Sequence, residues 1–517
     1  MQLNDDVVAR VVSAAALLVF SGVLFYAFAT LQSYLKLRHV PGPFFAGFSN
    51  LPRVCWVLSK RAHEIHAELH GQYGDLVRFG PGMVSCADPS QIPTIYPLKG
   101  REYGKGPFYK VLLPYTRGKS LPSLFGTDDE DVHRALKRPI AGIFSMSNLV
   151  TFEPYVDDTI RLLLAQLDRR FASEKPEASV CDLGHWLQYF AFDVMGELTF
   201  SRKFGFLDRG ADVDGVMGSI WKHFKAAAPV TQMPWIDRFW NKNPLLVRFW
   251  PSTASPIMAF AAKRVAERRA VEKSWAAASE ANPRDFLSRF VEAQATDPSV
   301  PDWAVTVWVF SNITAGSDST AAVLRCLWYH LLRNEDTMQR LREELDEAAR
   351  RGQLSQPCKW SEVRELPYLA ACVKEGIRMH APFGLPLERV VPAGGATISG
   401  KHLPGGTVIG MSGWVANRHR PTFGEDADEW NPGRWLVGDE ERRKRMEASI
   451  MTFGAGRRQC LGRNIANLEM LKVVPSLVQA YEFQLVDAEA WRVENCWFVV
   501  QEGLRVQVKK RQQCSRI

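Results

Sequence analysis

A chain of 517 residues is long enough for one large domain or two ordinary ones. Hydrophobic residues make up 46% and charged residues 23%, with 16 Trp and 29 Phe, which excludes a disordered or fibrous chain. The formal charge is +8, yet no aromatic-studded basic stretch argues for nucleic acid. Nine cysteines, odd in number and without paired spacing, exclude a disulfide framework and point to a reducing compartment.

No charged residue lies between Arg10 and Lys36. Val11 to Leu31 would span roughly 30 Å as a helix, the thickness of a bilayer's hydrocarbon. A cleaved signal peptide is the competing reading, but the apolar run exceeds a typical signal core and no small-residue cleavage site clearly follows. Lys36, Arg38 and His39 follow the run and Asp5 and Asp6 precede it. The expectation is a single-pass anchor over residues 1–36, with residues 37–517 on the cytosolic side.

Pro41-Gly42-Pro43 then gives a stiff linker. His63, His66 and His70 fall at i, i+3 and i+7 of a predicted helix. Zincin pairs are separated by four with a glutamate between them, so a solvated amphipathic helix is the expectation here. Asp75 to Ala87 alternates around Gly80-Pro81-Gly82 and reads as a hairpin. Helical patterns cover Tyr155 to Arg170, Leu183 to Thr199, Met258 to Ala278, and Asp302 to Arg333. Short strands return between Pro382 and Gly410 and again from Phe483 to Lys509. These elements predict a mainly α fold with a small β portion behind one transmembrane helix.

Within the long helix, Ala315-Gly316-Ser317-Asp318-Ser319-Thr320 is good turn chemistry, and a helix end there is the competing reading. Ala321 to Leu332 resumes the helical pattern at once, so a continuous helix carrying a carboxylate and hydroxyls is expected. Such groups can relay protons.

Phe453-Gly454-Ala455-Gly456-Arg457-Arg458-Gln459-Cys460-Leu461-Gly462 carries the most chemistry per residue. Two glycines allow a tight loop whose backbone N–H groups turn towards one sulfur. Arginines beside a cysteine favour its thiolate, the form that binds metal. For the other eight cysteines, small buried hydrophobe is the simpler reading.

This loop resembles the cytochrome P450 signature Phe-x-x-Gly-x-Arg-x-Cys-x-Gly at all five fixed positions: Phe453, Gly456, Arg458, Cys460 and Gly462. The resemblance implies that Cys460 is the axial ligand of a haem b iron, that Phe453 packs near it, and that Arg458 pairs with a propionate. A thiolate ligand favours O–O cleavage. Residues 315–320 are similar to the family's oxygen-activating motif, with Ser319 where threonine is usual. Asp318 and either Ser319 or Thr320 are therefore the expected catalytic relay.

Glu375 and Arg378 stand one helical turn apart. Their position before Asn431-Pro432-Gly433-Arg434-Trp435 resembles the family's Glu–Arg–Arg network, with Arg434 as third member. Arg389 falls where relatives place a second propionate ligand. Glu130 to Arg138 resembles the family's third helix, with His133 and Lys137 replacing Trp and Arg; both can donate to carboxylates, though a solvated face is the equal alternative.

The resemblance implies a monooxygenase in the endoplasmic reticulum membrane, using O2 and a separate NADPH-cytochrome P450 reductase docked near Arg457 and Arg458. An apolar substrate of fungal-type secondary metabolism is expected, as in pisatin-demethylase-like enzymes, in a pocket that includes Phe310, Ala315, Phe383, Leu385 and Trp497. The alternatives are a haem-thiolate isomerase or dehydratase needing neither O2 nor reductase, a detoxifying O-demethylase, and a non-catalytic haem protein.

Overall fold

A computed structural model describes residues 5–100, 103–116, 119–172, 180–243, 245–246, 256–275 and 285–511. Helix Asp5–Lys36 leads the chain, and its segment Ser13–Lys36 is long and apolar enough to cross a membrane. Its last turn touches the domain. Tyr34 stacks on Phe48 with ring centroids 4.4 Å apart, and the Arg78 guanidinium sits 4.3 Å above Tyr34.

The expected hairpin is present as strands Leu76–Gly80 and Met83–Cys86. It continues into a five-stranded sheet through Val408–Gly410, Arg389–Val390 and Gly104–Lys105, in that order. A second sheet joins Tyr481–Leu485, Arg505–Lys510 and Cys181–Asp182. The rest is mostly helix. The expected helices appear as Glu153–Arg170, Leu183–Phe200, Pro256–Trp275 and Ala304–Arg333. Residues 276–278, the end of the third expected helix, lie outside the described residues, as does Cys514.

The central helix Ala304–Arg333 runs unbroken through Gly316-Ser317-Asp318-Ser319. The Ser317 and Ser319 hydroxyls bond within the helix rather than ending it. The hydroxyls of Thr314 and Ser319 donate to the carbonyls of Phe310 and Ala315, at 2.8 and 2.6 Å. Gly316 has a packing role. A Cβ there would lie 2.6 Å from the Met195 sulfur, so glycine is what lets Leu183–Phe200 approach this closely. Leu187, Phe190, Leu324, Leu327 and Trp328 are all fully buried in the core these helices share.

The histidine helix departs from expectation. His63, His66 and His70 on Ala62–Tyr73 are buried, not solvated. His63 packs edge-on to Trp414, and His66 to Trp56 and Phe79. His70 bridges the Gly74 carbonyl and the Ser85 hydroxyl, each at 2.8 Å. Periodicity placed them on one face but could not say that the hairpin covers that face. Among the described residues no group of three or more His, Cys, Asp or Glu is placed to hold a metal ion.

Candidate active site

The Cys460 loop is closed by its own backbone, since the Cys460 N–H donates to the Phe453 carbonyl at 2.9 Å. Gly456 has φ +66, and a Cβ there would lie 2.1 Å from the Tyr96 carbonyl oxygen, so the loop needs glycine at this point. Phe453 is half-buried against the main core. Helix Arg463–Ala480 starts directly after the cysteine. Cys460 keeps accessible surface, which among the described cysteines only Cys55 shares. Desolvation by the surrounding protein pushes its thiol up, and the backbone N–H groups of Gly462 and Arg463 pull it back down. That donor set suits a metal-bound thiolate.

The neighbouring arginines share one carboxylate. Arg458 donates from Nε and Nη2 to Glu130 at 3.0 and 2.8 Å, and Arg457 donates from Nε to the same carboxylate at 2.8 Å. Both guanidinium groups tie the loop to helix Glu130–Lys137. The Asp129 side chain caps that helix, accepting from the N–H groups of Asp131 and Val132. The Arg458 side chain is 3% exposed and that of Arg457 18%.

His133 lies buried on this helix, 4.0 Å from Glu130. Burial, with the Arg458 charge, pushes its imidazole down to about 3, so it is neutral. Lys137 donates to the Arg457 carbonyl at 2.7 Å. The solvated-face alternative fails for His133.

Lys105 was not legible in the sequence. It sits directly opposite Arg389 in the antiparallel pairing of Gly104–Lys105 with Arg389–Val390, and both are buried. Lys105 donates to the Phe125 carbonyl and lies 4.1 Å above the Tyr109 ring. Arg389 donates to the Tyr109 hydroxyl at 3.3 Å and lies 4.8 Å above Tyr96. Burial, followed by the charges of Arg389 and Arg458, holds the Lys105 amine well below its usual range. Like charges directly opposite each other destabilise a sheet. A buried cluster of Lys105, Arg389 and Arg458 therefore fits a dianionic group such as the two propionates of haem.

The Glu375 network takes the expected form on helix Pro367–Met379. Glu375 accepts from Arg378 at 2.7 and 2.9 Å, from Arg434 at 3.0 Å, and from the Trp435 indole at 2.9 Å. Arg378 also donates to the carbonyls of Asn417, Ala427 and Glu429.

On the central helix, Asp318 is buried and its Oδ1 accepts from the Gln188 amide at 2.5 Å. Its Oδ2 has no partner among the described residues. Burial pushes this carboxyl up to about 6. Thr320 shares the buried side, whereas Ala315 and Ser319, one turn apart, keep accessible surface. Asp318 thus meets Gln188, which the sequence did not single out, and not the Ser319 hydroxyl.

Of the expected pocket residues, Phe383, Leu385 and Trp497 come together with Phe108, Phe125, Phe224 and Phe498 in one aromatic cluster. Phe310 is half-buried and packs against the main core.

The cytochrome P450 family model matches residues 41–509, and the chain belongs to that family. A cytochrome P450 monooxygenase of Aspergillus terreus is 52% identical over 487 residues, covering 93% of this chain and 97% of its own. The cytochrome P450 monooxygenase pkfB of Emericella nidulans is 51% identical over 500 residues, 96% of each chain. A third, asR2 of Sarocladium schorii, is 48% identical over 504 residues, again 96% of each. The protein is accordingly an oxidoreductase of the cytochrome P450 monooxygenase class. The cofactor of that family is a haem held by a thiolate.

Proposed function

We propose that the enzyme carries haem b on Cys460 and inserts one oxygen atom of O2 into an apolar small molecule of fungal secondary metabolism. Electrons reach it from NADPH through a separate cytochrome P450 reductase. The reading rests most on one observation: an accessible cysteine under two backbone N–H groups, beside a buried surplus of cations.

Bound haem would supply the activation of O2, one atom of which is transferred to the substrate. Lys105 and Arg389 take the propionates, with Arg458 held close by Glu130. The aromatic cluster around Phe383, Leu385 and Trp497 receives a substrate with little charge, since a buried ion without a partner is costly there. Asp318 holds a proton near neutrality, and Ser319 presents a hydroxyl on the accessible side of the helix. A buried acid of this kind has no use in an isomerase that takes no protons from solvent, which favours the monooxygenase reading.

The helix before Lys36 anchors the domain on the cytosolic face of the endoplasmic reticulum. Phe44, Phe45, Trp235, Phe239 and Trp240 are also exposed and suit an interfacial contact. Metabolite profiling of a deletion strain, followed by microsomal assay of the accumulated precursor, tests the function. NADPH-dependent conversion with one 18O atom incorporated from 18O2 is the expected result. Conversion without NADPH or O2 would replace this reading with the isomerase.

A further inference from the structure

Asp318 and Arg325 lie two turns apart on the central helix, roughly 10 Å along its axis. They do not touch. The side chain of Gln188, from helix Leu183–Phe200, stands between them. Its amide nitrogen donates to Asp318 Oδ1, and its amide oxygen accepts from Arg325 Nη2. Arg325 is fixed in turn by donating from Nε to the Gly184 carbonyl at 2.9 Å. All three side chains are buried. An arginine has donors and no acceptors, so the amide must give its oxygen to Arg325 and its N–H to Asp318. The chain of contacts therefore has one polarity.

This arrangement has two chemical consequences. An amide N–H does not exchange protons usefully near neutrality, so Oδ1 is blocked. A direct Arg325–Asp318 ion pair would hold the carboxylate permanently ionised, and the interposed amide prevents it.

We propose that Gln188 and Arg325 are positioning residues for the proton relay: they cap Oδ1 of Asp318 and leave Oδ2 as the oxygen through which this carboxyl takes up and releases its proton. The inference rests on the reading of Asp318 as the relay acid. Other charged or titratable groups bearing on the site are Asp212 near Asp318, and Asp182, Tyr189 and Glu502 near Arg325. Asp212 raises the proton affinity of Asp318; Gln188 and Arg325 lower it against the larger effect of burial.

The test uses the haem-loaded full chain and needs no substrate. Infrared spectroscopy across pH follows the protonated-carboxyl stretch that vanishes in Asp318→Asn. In Gln188→Leu the midpoint of that band should rise by about one pH unit, a tenfold change in proton affinity, the size of one hydrogen bond to a charged group. Gln188→Glu, which keeps the volume if the leucine variant does not fold, should raise it further because a second carboxylate faces the first. A midpoint unmoved or lowered in either variant overturns the proposal, as does a band in the parent that Asp318→Asn leaves intact. Failure of the relay itself would show separately, as unchanged product yield per NADPH in Asp318→Asn once a substrate is in hand.

Discussion

Lys105 and Arg389 face each other across two antiparallel strands, both buried, and among the described residues neither forms an ion pair with a carboxylate. Two cations in that position favour a bound anion. Replacing Lys105 by Gln should therefore act in opposite directions on two measurements. Haem-free protein should resist denaturant better, because a buried like-charge pair is gone. Haem-loaded protein should lose its cofactor faster to a scavenger, because a propionate has lost a partner. If both stabilities move together, Lys105 is structural only.

Cys460→Ser should abolish the red-shifted Soret band of the reduced carbonyl complex. The serine hydroxyl stays protonated where the thiol, helped by the N–H groups of Gly462 and Arg463, ionises towards the metal. A variant that binds haem and keeps the band would reject the ligand assignment.

Charge reversal at Glu375 or Arg378 should eliminate folded, haem-loaded protein rather than slow turnover. Both side chains are fully buried. Breaking such a pair strands a charge at a cost of roughly 3–5 kcal/mol. Normal haem content on purification of either variant would contradict this.

These cases also show what a sequence can and cannot disclose. Cys460 and the Glu375–Arg378 pair were legible because their partners are near in the chain or fixed by a dense local motif. The long helix was legible because its apolar pattern resumes after Thr320. Lys105, Gln188 and Arg325 carry no local signal; strand register alone opposes Lys105 to Arg389, and the close crossing at Gly316 and Met195 brings Gln188 to Asp318. The bond from Arg458 to Glu130, 328 residues earlier in the chain, carries no local signal either.

The buried histidines make stability depend on pH. Burial pushes His63 down to about 4 and His66 to about 3, from an ordinary value of 6.5. The unfolded chain therefore binds protons first, so stability is complete above pH 6.5 and is lost as pH falls towards 4. Asp318 and Glu388, pushed up by burial to about 6 and about 7, act in the opposite direction. A difference measurement isolates one histidine. His66→Phe, which keeps an aromatic ring against Trp56 and Phe79, should gain on the parent by about 1.4 kcal/mol per pH unit through that window. Denaturant unfolding at several pH values checks it; parallel curves for parent and variant would show that His66 does not titrate.

Proton delivery gives the last prediction, and the helix makes it directional. Ser319 lies on the accessible stripe with Ala315, while Thr320 faces the buried side about 100° round the helix. Both hydroxyls cannot serve one reaction centre. Ser319→Ala should keep haem and substrate binding but lower product formation, since a positioned acid–base group contributes on the order of 10²–10⁴-fold. NADPH consumption should fall less, with the difference recovered as hydrogen peroxide. Thr320→Ala should leave the ratio of product to NADPH near that of the parent. Asp318→Asn should also lower product formation and leak peroxide, because the carboxyl that burial raises to about 6 is the acid proposed to feed protons to the site. A peroxide leak from Thr320→Ala with none from Ser319→Ala would move the relay one residue along the helix. If none of the three variants leaks peroxide and product yield holds, the relay is absent and protons reach the site another way.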